Sequence, residues 1–200
     1  FKVGSEFMLN QFIERDILQG PGKSYGIEFS VKKKGKLNGW VNYSYARSFI
    51  KLDGDAAEEI INGGEFFPTN YDKPHTVNVV SNYKLTRRFS LSLNMTYNTG
   101  RPVTIPVAIY KLHDFDNVYY SDRNEYRIPD YFRVDFGMNL EGNHIIKKLS
   151  HSFWSFSVYN LLGRDNPYSV FFKVEDGVAK SYQLVVFGNP IPTISYNFKF

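Results

Sequence analysis

The segment Pro192-Thr-Ile-Ser-Tyr-Asn-Phe-Lys-Phe200 has the strongest fold signal in the chain, because its apolar and polar side chains alternate strictly. Successive side chains of a β-strand point to opposite faces, so the segment predicts a strand with one apolar face and one polar face. A half-buried strand of a soluble protein has this pattern. The wall of an outer-membrane β-barrel has it too, and there the aromatic residues lie at the membrane interface. The apolar positions are Ile194, Tyr196, Phe198 and Phe200.

The same alternation recurs along the chain, and no segment shows the 3.6-residue period of a helix. With their flanks, the alternating segments approach the length of about 9–11 residues that a tilted membrane strand needs. Lys2–Phe7 also has the composition of a strand, and Ala56–Ile61 has room for one helical turn within a loop. The other alternating segments are Tyr25–Val31, Val41–Tyr45, Val77–Leu85, Phe89–Asn98, Phe132–Glu141 and Trp154–Val158.

The connections between these strands alternate between short and long. Short turns on one rim and long loops on the other are typical of an outer-membrane barrel, whose short turns face the periplasm. We expect the last long loop to contain its own hairpin, Tyr168–Val174 with Tyr182–Phe187. The short connections lie near 33–36, 86–88 and 143–149, and the long ones near 9–22, 51–73, 99–129 and 164–190.

These patterns predict an all-β chain, folded as a transmembrane antiparallel up-and-down β-barrel with eight wall strands. An even number of strands places the C-terminus on the periplasmic rim and the long loops outside the cell. If the strands of the loop hairpin belonged to the wall, the count would be ten. Residues 1–7 lack the features of a secretion signal, so either a signal was removed or the chain begins within a longer protein. The strand composition of Lys2–Phe7 favours the second interpretation.

Composition agrees with a barrel. Aromatic residues make up 18% of the chain, with Phe 18 and Tyr 15, which suits a fold that needs aromatic girdles. The mean hydropathy of −0.35 is typical of a soluble protein. In alternating strands, however, polar residues balance the apolar ones, so such an average does not reveal the apolar face. The absence of cysteine excludes disulfides, thiolate metal sites and cysteine nucleophiles.

Charge is unevenly distributed, although the net charge is only +4. Acidic residues gather in the long loops, and basic residues gather in the tight turns. A nucleic-acid binder would instead place its positive charge on one surface together with base-stacking aromatics, so we expect no nucleic-acid partner. The basic clusters are Lys32, Lys33, Lys34 and Lys36, then Arg87 and Arg88, then Lys147 and Lys148.

Two other folds fit the alternation. A soluble up-and-down barrel would hold the apolar face inside, but the polar face is rich in Asn, Ser and Thr, and the loops are long for such a barrel. A self-contained eight-stranded outer-membrane barrel with a structural or adhesive role is the second alternative. It requires its first strand to pair with its last, and it requires the charges in its lumen to neutralise each other.

Five segments together resemble, in order and spacing, the C-terminal third of TonB-dependent outer-membrane receptors of the Bacteroidota kind, and the resemblance spans essentially the whole chain. They are Tyr71-Asp-Lys-Pro-His-Thr-Val-Asn-Val-Val80, Asn98-Thr-Gly-Arg-Pro-Val-Thr-Ile-Pro106, Ile128-Pro-Asp-Tyr-Phe-Arg-Val-Asp135, Ser157-Val-Tyr-Asn-Leu-Leu-Gly-Arg-Asp-Asn-Pro-Tyr168 and Phe187-Gly-Asn-Pro-Ile-Pro-Thr-Ile-Ser-Tyr-Asn-Phe-Lys-Phe200.

The resemblance implies a 22-stranded barrel of which residues 1–200 are about the last eight strands. It also implies a plug domain and energised uptake of a bulky ligand through contact with TonB. The chain contains neither a plug nor a TonB box, so these partners would belong to the preceding part of the receptor. Outer-membrane lipid, the barrel-assembly machinery and a surface lipoprotein are the other implied partners. A receptor-like barrel that serves as a scaffold in an outer-membrane complex fits the same residues.

The candidate sites are few. Carboxylates in the long loops, Asp53 with Asp55 and Asp114 with Asp116, are candidate Ca²⁺ ligands, but neither pair has the full spacing of a calcium loop, and we expect no metal and no cofactor. His75 is a candidate contact for a ligand or a metal, although a histidine there is more often an interface residue. The four histidines fall on opposite rims, so no catalytic group forms and no enzyme is expected.

Two further sites follow from the predicted wall. Arg133 and Asp135 project into the lumen if Val134 and Phe136 face lipid, so the charged pair is a candidate contact for a plug. Ile194, Tyr196, Phe198 and Phe200 are the expected signal for the barrel-assembly machinery. Deletion of Phe200 should therefore lower insertion into the outer membrane, and unchanged insertion would contradict that role.

Overall fold

A computed structural model describes residues 17–112, 115–142, 151–175 and 178–199. This part of the chain is all-β, as predicted, with fourteen strands and two short 3₁₀ turns, Ala57–Glu59 and Asn62–Gly64. The strands are β1 Gly22–Lys33, β2 Leu37–Ile50, β3 Phe67–Pro68, β4 His75–Lys84, β5 Phe89–Asn98, β6 Pro102–Val103, β7 Pro106–Leu112, β8 Phe115–Tyr120, β9 Tyr126–Arg127, β10 Tyr131–Glu141, β11 His151–Tyr159, β12 Pro167–Glu175, β13 Val178–Val185 and β14 Ile191–Lys199.

Seven long strands form the main sheet in the order β1-β2-β4-β5-β10-β11-β14, and every neighbouring pair is antiparallel. The short β3 extends the sheet beside the end of β2. The up-and-down order predicted from the alternating segments is therefore confirmed, and β5 has the predicted bounds. The other strands extend the predicted segments by a few residues or differ by one at an end.

The long loops contain small sheets of their own. The predicted hairpin in the last loop is present as β12 and β13. The loop between β5 and β10 contains a second hairpin, β7 with β8, and the short pair β6 with β9, which the sequence did not predict. The helical turn expected within Ala56–Ile61 is present as a 3₁₀ turn.

The main sheet is open in the part of the chain that the structure describes. Its edges are β1 and β14, and these two strands do not pair with each other there. A closed barrel is therefore not observed, and the self-contained barrel lacks its required first-to-last pairing among the described residues. The predicted strand Lys2–Phe7, the turn at 143–149 and Phe200 lie outside those residues.

The register places most of the apolar side chains of the seven strands on one face, which we call the apolar face. Paired residues share a face, so Phe29 beside Tyr43, and Tyr43 beside Val77, extend it from strand to strand. The apolar side chains of this face are Tyr25, Ile27, Phe29, Val31, Leu37, Val41, Tyr43, Tyr45, Phe49, Val77, Val79, Tyr83, Phe89, Leu91, Leu93, Met95, Tyr97, Phe132, Val134, Phe136, Met138, Leu140, Trp154, Phe156, Val158, Ile194, Tyr196 and Phe198.

The opposite face, the polar face, has Ser, Thr, Asn and charged side chains at most positions. Hydrogen bonds join them between strands: the Ser30 hydroxyl donates to the side-chain oxygen Oδ1 of Asn42 at 2.6 Å, and the Ser155 hydroxyl donates to Oδ1 of Asn139 at 2.6 Å. Seven large apolar or aromatic side chains of these strands also lie on the polar face: Trp40, which is opposite Lys32, with Ile50, Val80, Tyr131, Phe153, Tyr159 and Ile191. The sheet is thus a two-faced wall.

The apolar face has no covering layer in the described structure. Substantial contacts between elements are those of paired neighbours, together with a contact between β7 and β13. Side chains at the sheet edges are far from buried: Val31 is 68% exposed and Ile194 is 70% exposed. The buried apolar side chains there, Leu52, Phe67 and Ile128, all lie in the long loops. No helix of the described residues is long and apolar enough to span a membrane.

The strands are strongly staggered. One row of paired residues begins at Lys33, the last residue of β1, and reaches Pro192, the second residue of β14. At the short-turn end, β1 stops at this row, whereas β14 continues for seven more residues to Lys199. The ends of the two strands are therefore offset by seven residues, and six steps from strand to strand separate them. At ordinary spacings the offset is about 23 Å along the strands, and the distance across the sheet is about 29 Å. The strands are therefore inclined by about 40° to the axis of the wall.

Candidate functional site

The apolar face has aromatic side chains towards both ends of its strands. On β5, Phe89 and Tyr97 are separated by about 27 Å along the strand, or about 20 Å of height at a 40° tilt. Leu91, Leu93 and Met95 lie between them on the same face. Trp154 and Tyr196 contact each other at the short-turn end, with ring centroids 4.7 Å apart. The face therefore has an aromatic belt towards each end of an apolar band, and Phe136 and Phe156 lie within the band itself.

At the long-loop end, Asp72 ties two loops to the wall. Its side chain is fully buried and accepts hydrogen bonds from the Ser48 backbone N–H at 2.8 Å and from Arg47 Nε at 3.0 Å. Arg127 donates to the other carboxylate oxygen, and its Nη1 also donates to the Asp72 carbonyl at 2.6 Å and the Gly100 carbonyl at 2.9 Å. Loops 51–74 and 99–130 are therefore joined to β2 through one carboxylate.

Burial by itself would raise the pKa of Asp72. The hydrogen bonds from the Ser48 N–H and from Arg47 and Arg127 outweigh that effect, so the pKa lies below its ordinary value. Asp72 is therefore ionised at neutral pH and supplies a negative charge between two guanidinium groups.

Asp130 ties the end of the loop 99–130 to β5 and to the start of that loop in the same way. The Tyr97 hydroxyl donates to one of its oxygens at 2.6 Å and the Gly100 N–H to the other at 2.8 Å. These two hydrogen bonds, that of Tyr97 first, lower the pKa of Asp130 below its ordinary value despite partial burial. Arg164 from the last loop donates to the Asp130 carbonyl at 3.1 Å, so the three long loops are linked.

Asn160 fixes the turn that follows β11. It has a positive φ of 51° and is 1% exposed. Its amide nitrogen lies within hydrogen-bond distance of the carbonyls of Arg164 at 3.0 Å, Phe187 at 3.2 Å and Gly188 at 2.7 Å. Phe187 itself has a φ of 56°, a region that bulky residues rarely adopt. The amide therefore holds a strained backbone in which Phe187 is presented to solvent.

Phe187 faces a cleft of about 790 Å³ at the long-loop end of the wall. Two of its walls come from the polar face and from the last loop, and the ring of Phe187 meets Tyr159 edge-on at 6.1 Å. Such a volume is ordinary for a small-ligand pocket, and its aromatic faces, amides and cations can bind a ligand with both flat apolar and hydrogen-bonding groups. Its main lining residues are Lys73, Asn98, Arg101, Tyr131, Tyr159, Asn166, Tyr168 and Phe187.

The predicted lumen pair, Arg133 and Asp135, lies on the polar face of β10 below this cleft. The two side chains form an ion pair at 3.0 Å, and Arg133 also donates to the hydroxyls of Tyr131 at 2.9 Å and Tyr159 at 3.0 Å. Asp135 accepts from the Asn160 N–H at 3.0 Å. The pair thus supports the floor of the cleft, and contact with a plug stays a prediction.

The other predicted site residues are not brought together. Asp53 forms an ion pair with Lys51 at 3.0 Å, and the described residues contain no group of three or more metal-ligating side chains. Asp114 lies outside the described residues, as does the side chain of Asp116. His75 lies on the apolar face, where its Nδ1 is 2.9 Å from the Tyr43 hydroxyl.

Three residues of the predicted assembly signal, Ile194, Tyr196 and Phe198, lie on the apolar face of the edge strand β14 and are at least half exposed. Their role in assembly is untested by the structure, and Phe200 lies outside the described residues.

Sequence reasoning missed Asp72, Asp130 and Asn160 as the residues that organise the loops. Each lies within a segment quoted for the family resemblance, but nothing in its local sequence shows which partners it meets. The positive φ of an asparagine before a turn is the one local signal available, since asparagine tolerates the left-handed region better than most residues.

Comparison of the chain with protein-family models, with curated proteins and with solved structures finds no match. The family resemblance therefore rests on the five sequence segments alone.

Proposed function

We propose that this chain forms part of the barrel wall of a TonB-dependent outer-membrane receptor that takes up a bulky ligand. The wall would cross the outer membrane with its long loops outside the cell. The ligand would be captured at the cleft between the polar face and the last loop. The observation that supports this proposal best is the uncovered apolar face with its two aromatic belts.

Lipid is the cover that fits this face. An apolar band about 25 Å tall, flanked by aromatic girdles, is the outer surface of a transmembrane barrel, and its lumen is polar. The estimated band height of about 20 Å and strand tilt of about 40° agree with that architecture. In a membrane, the two edges of the described sheet would have to pair with further strands, because an unpaired edge is too costly in hydrocarbon.

The linked loops support ligand capture. Asp72 and Asp130 hold the three long loops in one arrangement, so the cleft is formed before a ligand arrives. Preformed sites lose less conformational entropy on binding than mobile ones. Tyr168 and Phe187 would contribute aromatic contact area, and Asn98 and Arg101 would donate hydrogen bonds. Energised release would require a plug and a TonB box from other parts of the receptor, and TonB itself as a separate partner.

Spin labels can test the orientation of the wall. Val79→Cys and Asn78→Cys place a label on adjacent residues of β4 that face opposite ways, in a chain without other cysteines. For the whole protein in lipid bilayers, we expect the label at 79 to be accessible to oxygen dissolved in lipid and the label at 78 to a water-soluble nickel complex. Equal access of both labels to the nickel complex would contradict a membrane wall.

Uptake requires a separate test. The whole protein should bind the periplasmic domain of TonB, and deletion of its TonB box should abolish that binding without changing the spin-label pattern. A protein with the expected labels but without TonB binding would be a scaffold or a structural barrel.

The self-contained eight-stranded barrel is the second candidate, because the Arg133–Asp135 ion pair supplies the charge neutralisation that its narrow lumen would need. The mass of the native polypeptide in outer membranes separates the two proposals. A mass near 23.2 kDa would favour the small barrel, and a mass several times larger would favour the receptor.

A further inference from the structure

Six cations form a second surface at the short-turn end of the wall, which we call the basic rim. They are Lys32, Lys33, Lys34, Lys36, Arg87 and Arg88. The first four lie in or beside the turn between β1 and β2, and the other two lie in the turn between β4 and β5. All six are exposed, and none forms an ion pair with a carboxylate within the described ranges.

The two turns are neighbours, so their charges form one patch. Strands β2 and β4 are adjacent in the sheet, and the Lys84 N–H donates to the Lys36 carbonyl at 2.9 Å, which joins the two hairpins. Like charges this close repel one another, and a folded chain gains nothing from them by itself. An anionic partner would relieve that repulsion.

The patch borders the apolar face directly. Lys33 is on the same face as Val31 and two residues beyond it, a separation of about 7 Å along the strand. The Lys36 ammonium lies 5.4 Å from the ring centroid of Tyr83, which belongs to the apolar face. Arg88 precedes Phe89, another residue of that face. These three cations therefore lie within about a Debye length of the edge of the apolar band.

The long-loop end does not have this excess of positive charge. Its loops mix both signs with acidic residues in the majority, and three of its arginines, Arg47, Arg127 and Arg133, are paired with carboxylates. The two ends of the wall therefore differ in charge, so in a membrane they would present different surfaces to the two leaflets.

We propose that the basic rim binds the phosphate headgroups of anionic phospholipids in the leaflet next to the short turns. This inference rests on the proposed membrane wall. Lysine stems extend along apolar surface while their ammonium groups reach the headgroups, and arginine matches phosphate geometry with paired donors. An acidic protein would satisfy the charge but not the apolar face that adjoins it, so phospholipid fits both surfaces at once.

Native mass spectrometry of the whole protein, delipidated in detergent, tests the proposal. The protein is titrated with phosphatidylglycerol and, separately, with phosphatidylcholine of the same acyl chains, and the ratio of the two dissociation constants measures the headgroup preference. We expect a preference for phosphatidylglycerol that weakens as ionic strength rises.

Matched variants locate the preference. K33Q/K34Q/K36Q removes three cations from the basic rim, and K111Q/R123Q/K173Q removes three exposed cations from the long loops. A basic residue near an anionic surface contributes about a 5-fold factor in binding, so the first variant should lose most of the preference and the second should keep it.

The other outcomes are distinct. Equal binding of both lipids by the parent protein, or equal loss in both variants, would overturn the inference and leave the membrane wall intact. Absence of binding for both lipids would count against the membrane wall itself. Retained preference in K33Q/K34Q/K36Q would overturn the assignment to this turn.

Discussion

The two ends of the wall use charge in opposite ways. At the long-loop end, Asp72 and Asp130 are held in hydrogen bonds that link loops to strands. At the short-turn end, the basic rim presents cations that have no carboxylate partner in the described structure. The difference indicates that charge at the long-loop end stabilises the protein's own conformation. Charge at the short-turn end is available to something outside it.

The largest difference between the ends should appear on removal of the Asp72 charge. Asp72→Asn leaves Arg47 and Arg127 facing a neutral amide, so we expect the free energy of unfolding to fall by about 3 kcal/mol, the low end for a broken buried pair because both arginines are partly hydrated. Chemical denaturation in detergent would measure it. Asp53→Asn, which removes a surface ion pair with Lys51, is the control and should cost less than about 1 kcal/mol. Equal costs would contradict the buried role of Asp72.

Loss of the Asn160 amide should have the next largest effect. Asn160→Ala removes the amide that donates to the last loop. It also leaves an alanine in the left-handed region, which alanine tolerates poorly, so we expect the free energy of unfolding to fall by about 2 kcal/mol. Protease cleavage between 160 and 190 would report the loosened turn. Asn160→Gly relieves the backbone but still lacks the amide, so it should recover only part of the loss. Full recovery would show that the side chain contributes nothing.

Acid should weaken the long-loop end selectively. The folded-state pKa values of Asp72 and Asp130 are lowered, so their stabilisation is complete above the unfolded pKa of about 4 and is lost as pH falls through the folded values. Cleavage of the loops by an acid-active protease should therefore rise below about pH 4. The double variant Asp72→Asn and Asp130→Asn should flatten that rise, and an unchanged profile would exclude both carboxylates as its cause.

Removal of charge at the short-turn end should have the smallest effect on stability. Arg87→Gln with Arg88→Gln should change the free energy of unfolding in detergent by no more than about 0.5 kcal/mol, because these exposed side chains have no described ion-pair partner. A larger loss would show that the basic rim, like the other end, is built into the fold, and the contrast between the ends would fail.

The wall could be predicted from sequence because its signal is local. Alternation within Phe89–Asn98 defines both the strand and its faces, and antiparallel neighbours follow from short turns. The loop architecture could not be predicted in the same way. Asp72 meets Arg127 across 55 residues of sequence, and no local pattern specifies which arginine a loop carboxylate will meet. Strands β7 and β8 were missed for a related reason, since the alternation of their apolar residues is weak.

The unbroken register of the main sheet limits how the chain can change in length. Its strand pairs have no bulge, so each row of paired residues stays on the same face of the sheet from one strand to the next. Insertion of one residue within β5 would turn every side chain beyond it to the wrong face. Insertion of two would restore the faces and shift the row by one pleat. Within the strands, insertions and deletions should therefore be tolerated only in even numbers, whereas a residue added in a loop away from Asp72, Asp130 and Asn160 leaves the register of the sheet unchanged.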